Sequence, residues 1–265
     1  MNYASDSPAR ARQRDPWRAL RYALRVPVLL LHLLLGLPIT LLLINPLTAR
    51  LRVRGERIDH RAIRAWQGGL LRIFGFRIRQ FGRPLEGGVL FVANHVAWLD
   101  ISLLHSCHVV GFVAKAEISR WPLIGWLASR AGTIYHHRGN NESLHGVMHQ
   151  MVMRLQSGQA VGVFPEGRTT DGLSVHTFHA RIFQPAVAAP ATVQPVALRY
   201  GERGSAQALV AFQPDENFLQ NFLRVLGDPA RVAEVHFLQP IAPSEDGRRR
   251  LAESARAQIA AAMER

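Results

Sequence analysis

At 265 residues the chain is long enough for one large layered domain with an appendage and too short for two full domains. Its single cysteine, Cys107, excludes an internal disulfide and reads as a small buried apolar residue rather than a reactive thiol. The formal charge of +13 would suit a nucleic-acid binder, but residues 1–83 hold sixteen arginines against four acidic residues, whereas the remainder holds sixteen basic against fifteen acidic; the excess flanks the most apolar stretch, which points to anionic lipid headgroups as the partner and away from nucleic acid.

In chain order, residues 1–16 are polar and arginine-rich without apolar periodicity, the pattern of a flexible basic tail. Residues 17–75 read as membrane-anchoring helices. From Val26 to Ile44 the chain is apolar apart from His32, Thr40, Pro27, Gly36 and Pro38. At about 1.5 Å per residue this is about 28 Å, near the hydrocarbon thickness of a bilayer. A cleaved signal peptide would need a small-residue cleavage site, which Leu43-Ile44-Asn45-Pro46 does not offer. A single span is disfavoured by basic residues on both flanks, Arg18, Arg21 and Arg25 before it and Arg50, Arg52, Arg54 and Arg57 after it. The preferred reading is a re-entrant or in-plane anchor bent at Gly36-Leu37-Pro38, with both ends on the cytoplasmic surface. Residues 58–74 place Ile63, Trp66, Leu70 and Ile73 at helical spacing, which suits either a core-facing helix or an interfacial one with Trp66 at headgroup level.

From Phe76 to the end, short strands alternate with helices, as in a layered α/β domain. Strands are expected near 76–81, 89–93, 109–114, 133–137, 160–164, 193–200, 207–212 and 232–238. Helices are expected near 100–106, 119–131, 141–156, 180–188, 216–226 and 245–264.

Two segments carry chemistry. The apolar run Val89–Ala93 ends in Asn94-His95-Val96-Ala97-Trp98-Leu99-Asp100, at a strand-to-helix turn. An imidazole can take a proton from an alcohol at neutral pH, and a carboxylate on its other nitrogen fixes the tautomer. Asp100 also has a plain reading as a helix cap. The second segment, Phe164-Pro165-Glu166-Gly167-Arg168-Thr169-Thr170-Asp171-Gly172, again follows an apolar strand and offers glycine for close approach with anion- and hydroxyl-binding groups beside it.

Taken together these segments resemble the glycerolipid acyltransferase family, which includes bacterial 1-acylglycerol-3-phosphate acyltransferases. Four blocks stand in order: Asn94, His95 and Asp100; Gly132 to Arg138; Phe164 to Gly167; and the apolar strand around Pro195 from Val193 to Leu198. The resemblance implies an α/β fold with a central mixed sheet covered by helices. It implies His95 as general base and Asp100 as its partner, with Asn94, Arg138, Glu166, Gly167, Arg168 and Thr169 around the acceptor. It further implies an acyl-CoA or acyl-carrier-protein donor, a lysolipid acceptor, no cofactor and no metal. The expected location is a bacterial inner (cytoplasmic) membrane with the site facing the cytoplasm. Many relatives have Thr-Arg-Ser after the third block, where this chain has Arg168-Thr169-Thr170. That variant also resembles the branch that acylates lyso-ornithine lipids, so two acceptors stand: 1-acyl-glycerol-3-phosphate first, lyso-ornithine lipid second. A catalytically silent lipid-binding protein is the non-enzyme reading.

The other singular residues have plainer readings. His145 and His149 lie one helical turn apart but lack the glutamate of a zinc-protease motif, and read as a surface pair. His136 and His137 read as strand residues, one inward and one outward. Trp121 and Trp126 read as core or membrane-facing packing, or as lining of an acyl-chain tunnel.

Overall fold

The computed structural model describes residues 15–121, 124–137, 141–243 and 247–264. Except for Asp15 and Pro16, the tail expected over 1–16 therefore lies outside the described residues, as does Arg138.

The described chain opens with helix α1 (Arg18–Leu31), one π-helical stretch (His32–Gly36) and α2 (Leu37–Leu43). These form one continuous helix of 26 residues, long and apolar enough by composition to cross a bilayer, its most apolar 18-residue stretch having a mean hydropathy of 2.4. The π stretch ends at Gly36, the first residue of the expected bend, and the chain stays helical through Gly36 and Leu37. There His32 stacks on Trp66 at 5.4 Å, in space left open by Gly36 and Gly69. An unanticipated hairpin follows, β1 (Arg52–Val53) and β2 (Glu56–Arg57). Its turn residues Arg54 and Gly55 both have positive φ, 54° and 83°, as a tight two-residue hairpin turn requires.

Then come α3 (Ile58–Ile73), β3 (Phe76–Phe81), β4 (Leu90–Ala93), α4 (Leu99–Cys107) and β5 (Gly111–Lys115). They are followed by α5 (Ile124–Arg130), β6 (Ile134–His136), α6 (Asn141–Gln156), β7 (Val161–Val163), α7 (Gln184–Ala188) and β8 (Val193–Tyr200). The last elements are α8 (Gln207–Val210), α9 (Phe218–Leu226), β9 (Arg231–Phe237) and α10 (Gly247–Met263).

Seven strands form one sheet in the order β3-β9-β8-β4-β7-β5-β6. All neighbours are parallel except β8 and β9, so the sheet is mixed, as expected. Residues of β4 alternate between two cores, as the pleat demands. Phe91 and Ala93 join Leu71, Phe74, Leu103 and Tyr200 on one side. Leu90 and Val92 join Met151, Phe183, Leu251 and Ile259 on the other. Both faces are covered, which is why β4 is buried throughout and reads as a continuous apolar run. Helix α3 resolves toward the core: Leu70 and Leu71 are buried in the same cluster as Phe91.

Two expectations are corrected. The segment 207–212 is not a strand, because the Gln207 side chain accepts from the Tyr200 N–H and donates to the Leu198 carbonyl, closing the end of β8 from a short helix. Its brief apolar run carried no decisive period. The helix expected over 119–131 divides into a 3₁₀ turn (Ala116–Arg120) and α5, with Trp121 extended at ψ 123°. Pro122 follows Trp121, and proline drives the residue before it out of the helical region.

Candidate active site

The sheet places His95 just beyond the C-terminal end of β4, its central strand, where open α/β sheets gather ligands. Asn94 anchors the turn. Its side chain donates to the Leu198 carbonyl at 3.0 Å and accepts from the Leu198 N–H at 2.8 Å, continuing the β4–β8 pairing past the end of the strand. Asn94 is thus a buried brace rather than a cavity-lining group.

His95 Nδ1 lies 2.8 Å from Asp100 Oδ2. The same oxygen accepts from the backbone N–H groups of Val96 and Ala97, at 2.6 and 3.0 Å. The other, Oδ1, accepts from the Tyr200 hydroxyl at 2.6 Å. Asp100 therefore sits inside the first turn of α4, past its N-cap residue Trp98, and instead of capping the helix it binds the loop N–H groups before it while orienting the imidazole. A fully buried carboxylate holding four donors needs no counter-ion. Burial and the adjacent Asp100 charge push the Tyr200 phenol well above its usual range, which keeps it a donor.

The Phe164 ring stacks on His95 at 3.9 Å and 11°, with Phe112 stacked behind it at 5.2 Å. The third block is joined to the first through Glu166. One of its oxygens accepts from the His95 N–H at 2.9 Å and the other from the His176 N–H at 3.1 Å. Burial raises the Glu166 carboxyl above its ordinary value of 4.5, against the opposing pull of these two N–H groups. Thr170 adds a second link, donating its N–H to the His95 carbonyl at 2.8 Å. Gly167 turns with φ 72°, and a Cβ there would meet the His179 ring at 3.2 Å.

Beside His95 lies a cavity of about 540 Å³. Its walls are largely apolar, with Ile101, Val113, Ile118, Leu144, Met148 and Ile182 among them, and Lys115 and Arg181 supply cationic groups. Such a space suits an acyl chain with an anionic or polar head. Among the described residues expected around the acceptor, only Gly167 lines it; Arg138 lies outside the described residues. The Glu166 carboxylate is spent on backbone groups, Arg168 is exposed outside the lining, and Thr169 is half-buried, also outside it. Among the described residues no cluster of histidine, cysteine and acidic groups could hold a metal ion.

Sequence reading missed Tyr200, Thr170, Lys115 and Arg181. A signal existed for two. A tyrosine inside a buried strand must find a partner for its hydroxyl, and Lys115 is the sole lysine of the chain.

The site is thus an oriented histidine at the end of the central strand of a mixed sheet, opening on an apolar cavity. Residues 55–199 match the family described as Acyltransferase, and the chain belongs to that family. It is similar to a lyso-ornithine lipid O-acyltransferase of Pseudomonas aeruginosa, at 37% identity over 71% of this chain and 72% of that one. Another such enzyme, from Rhodobacter capsulatus, is 32% identical over 79% of this chain and 81% of its own length. A 1-acyl-sn-glycerol-3-phosphate acyltransferase of Neisseria gonorrhoeae is 41% identical over 46% of this chain and 49% of its own length. The fold is shared with the crystal structure of a 1-acyl-sn-glycerophosphate acyltransferase from Thermotoga maritima, at a TM-score of 0.68 and 17% identity over 93% of this chain and 97% of that one.

Proposed function

We propose that the chain moves a fatty acyl group from a thioester, acyl-CoA or acyl-carrier protein, to the free hydroxyl of a lysolipid. The observation that carries this is the His95–Asp100 contact of 2.8 Å at the wall of an apolar cavity. With Nδ1 occupied by Asp100, Nε2 is the atom that takes the hydroxyl proton. The acceptor oxygen bonds to the thioester carbonyl carbon, the tetrahedral intermediate collapses, the C–S bond breaks, and the leaving thiolate receives the proton from His95. Attack is direct. Cys107 is buried, and burial pushes its thiol up, away from the reactive thiolate.

Two acceptors have specific support. The lyso-ornithine reading rests on relatives so named that align over 71% and 79% of the chain. The 1-acyl-glycerol-3-phosphate reading rests on 41% identity over the 124 residues shared with the Neisseria enzyme, and on two cationic side chains at the cavity. Mass spectrometry of products made from each lysolipid, with both donors, separates them. His95→Ala should lower turnover by about 10²–10⁴-fold in every productive combination. A variant within a few-fold of wild type would sink the mechanism.

The reading includes a membrane anchor, on the bacterial cytoplasmic membrane with the site facing the cytoplasm. It is supported by how the N-terminal helix is tied down at both ends. Arg25 donates to the carbonyls of Leu226 and Asp228 at 2.7 Å each, and Arg21 to that of Gly227 at 2.8 Å. At the other end Ile44 is buried and its carbonyl accepts from Arg130. Between them Leu20, Leu24, Leu31, Leu34, Leu35, Ile39 and Leu42 are exposed. A helix bonded at both ends to one domain suits an in-plane anchor.

A further inference from the structure

Helix α10 covers the face of the sheet opposite the N-terminal helix. Its Leu251, Ala252, Ala255 and Ile259 pack in the core with Leu90 and Val92, whereas Leu29 of α1 and Leu71 of α3 pack in the other core with Phe91. The outward side of α10 is basic. Its arginines Arg248, Arg249, Arg250 and Arg256 are all exposed, and the one acidic residue among them is Glu253. Arg249, Glu253 and Arg256 border a groove of about 140 Å³ against Thr177, Phe178 and Ala180.

The segment that walls this groove also walls the catalytic cavity, through His179, Arg181 and Ile182. Arg256 donates to the carbonyls of Val175 and His176 at 2.8 and 3.0 Å. The His176 N–H in turn donates to Glu166, whose other oxygen holds the His95 N–H, so the basic side of α10 is braced directly against the motif loops. The guanidinium groups of Arg181 and Arg249 have no hydrogen-bond or ion-pair partner among the described residues.

We propose that the Arg249–Arg256 side of α10, continued to the cavity by Arg181, docks an acidic surface of an acyl-carrier protein, which delivers the donor thioester from the side of the domain away from the N-terminal helix. This rests on the acyl-transfer reading above and deepens it by assigning the donor's approach. Unpaired guanidinium groups spread over a surface attract a partner of opposite charge and orient it before contact. A lipid surface does not suit this face: it lies across the sheet from the N-terminal helix, and no large apolar side chain of α10 is exposed. Nor does the nucleotide of CoA. The groove of about 140 Å³ falls below the roughly 300–1,000 Å³ of small-molecule sites. At about 1.5 Å per residue Arg249 and Arg256 lie about 10 Å apart along the helix, a spread that meets several side chains of another protein rather than one phosphate cluster. The carrier stays outside while its flexible arm brings the thioester to His95.

The test compares two donors, the same acyl chain on acyl-carrier protein and on CoA, with the full-length protein in mixed micelles. Arg249→Glu should raise the KM for the acyl-carrier protein about ten-fold and leave kcat and the KM for acyl-CoA unchanged. Glu253→Arg should lower the carrier KM several-fold, and both differences should fade at high ionic strength. A rise shared by the two donors, one confined to acyl-CoA, or no change in either variant overturns the proposal. Binding of the acyl-carrier protein to the immobilised full-length protein should weaken in Arg249→Glu and strengthen in Glu253→Arg. Unaltered carrier binding with Arg249→Glu released from phosphatidylglycerol vesicles would give the face to the membrane and overturn it too. Were wild type inactive on every lysolipid, the proposed reaction would fail while carrier binding still decided the surface.

Discussion

The Tyr200 hydroxyl donates to Asp100 Oδ1 at 2.6 Å while His95 engages Oδ2, so a residue one hundred positions downstream holds the carboxylate that orients the imidazole. Tyr200→Phe keeps the ring against Phe76 and removes only this donor. A charge-assisted hydrogen bond of this kind contributes about 1.5–3 kcal/mol. We expect a lower kcat with little change in KM. A double-mutant cycle with Asp100→Asn should be non-additive. An unchanged kcat with an additive cycle would reduce Tyr200 to packing.

Glu166 acts as a staple between the two motif loops, since both of its oxygens accept backbone N–H groups. Glu166→Ala leaves those two donors without an acceptor, at about 1–3 kcal/mol for each buried group. The melting temperature and kcat should fall together. Glu166→Gln offers one acceptor and one opposed N–H₂, and should lie between. If Glu166→Ala raised only the acceptor KM, the carboxylate would be a substrate ligand instead.

Arg181 and Lys115 line the cavity, whereas Arg168 points outside it. For an anionic acceptor, Arg181→Ala and Lys115→Ala should raise the acceptor KM by about ten-fold or more, as loss of a charge-assisted contact made in ground and transition states alike. Arg168→Ala should stay within a few-fold. The opposite ranking in steady-state kinetics would relocate the headgroup to the exposed loop.

Glu216 titrates near the base of α9. Burial raises its carboxyl, but hydrogen bonds from Arg224, the Gln213 backbone and Asn221 outweigh that and bring it from 4.5 to about 2. A carboxyl lowered by folding contributes stability that is whole above its unfolded value and is lost as pH falls from about 4.5 to about 2. Thermal melts of wild type should decline through that window. In Arg224→Met the contribution should shrink to what the Gln213 and Asn221 donors leave and the decline flatten, with the whole curve lower because Glu216 is left without its cation. A variant that kept the wild-type pH slope would assign the decline to other carboxylates.

The apolar N-terminal helix, the alternating strands and helices and the four ordered blocks could be read from the chain alone. Each rests on neighbours within a few residues: apolar runs, breakers, a histidine and an aspartate five positions apart. The His95–Asp100 pair was legible for that reason. Even there, the sequence left Asp100 as either cap or partner, and only the turn at the end of β4 brought the loop N–H groups of Val96 and Ala97 and the imidazole onto one oxygen.

The rest was settled by register and burial. The segment 207–212 had the composition of a strand, but Gln207 was needed at the end of β8, and tertiary hydrogen bonds outweighed propensity. Glu166 and Arg168 had the composition of headgroup ligands, and their side-chain directions, set by the tight turn at Gly167, sent one inward to backbone N–H groups and the other to solvent. Tyr200 and Asp100 lie too far apart in the chain for any local pattern to join them. They meet because β8 pairs beside β4 in the sheet, a neighbour relation that spacing along a chain does not encode.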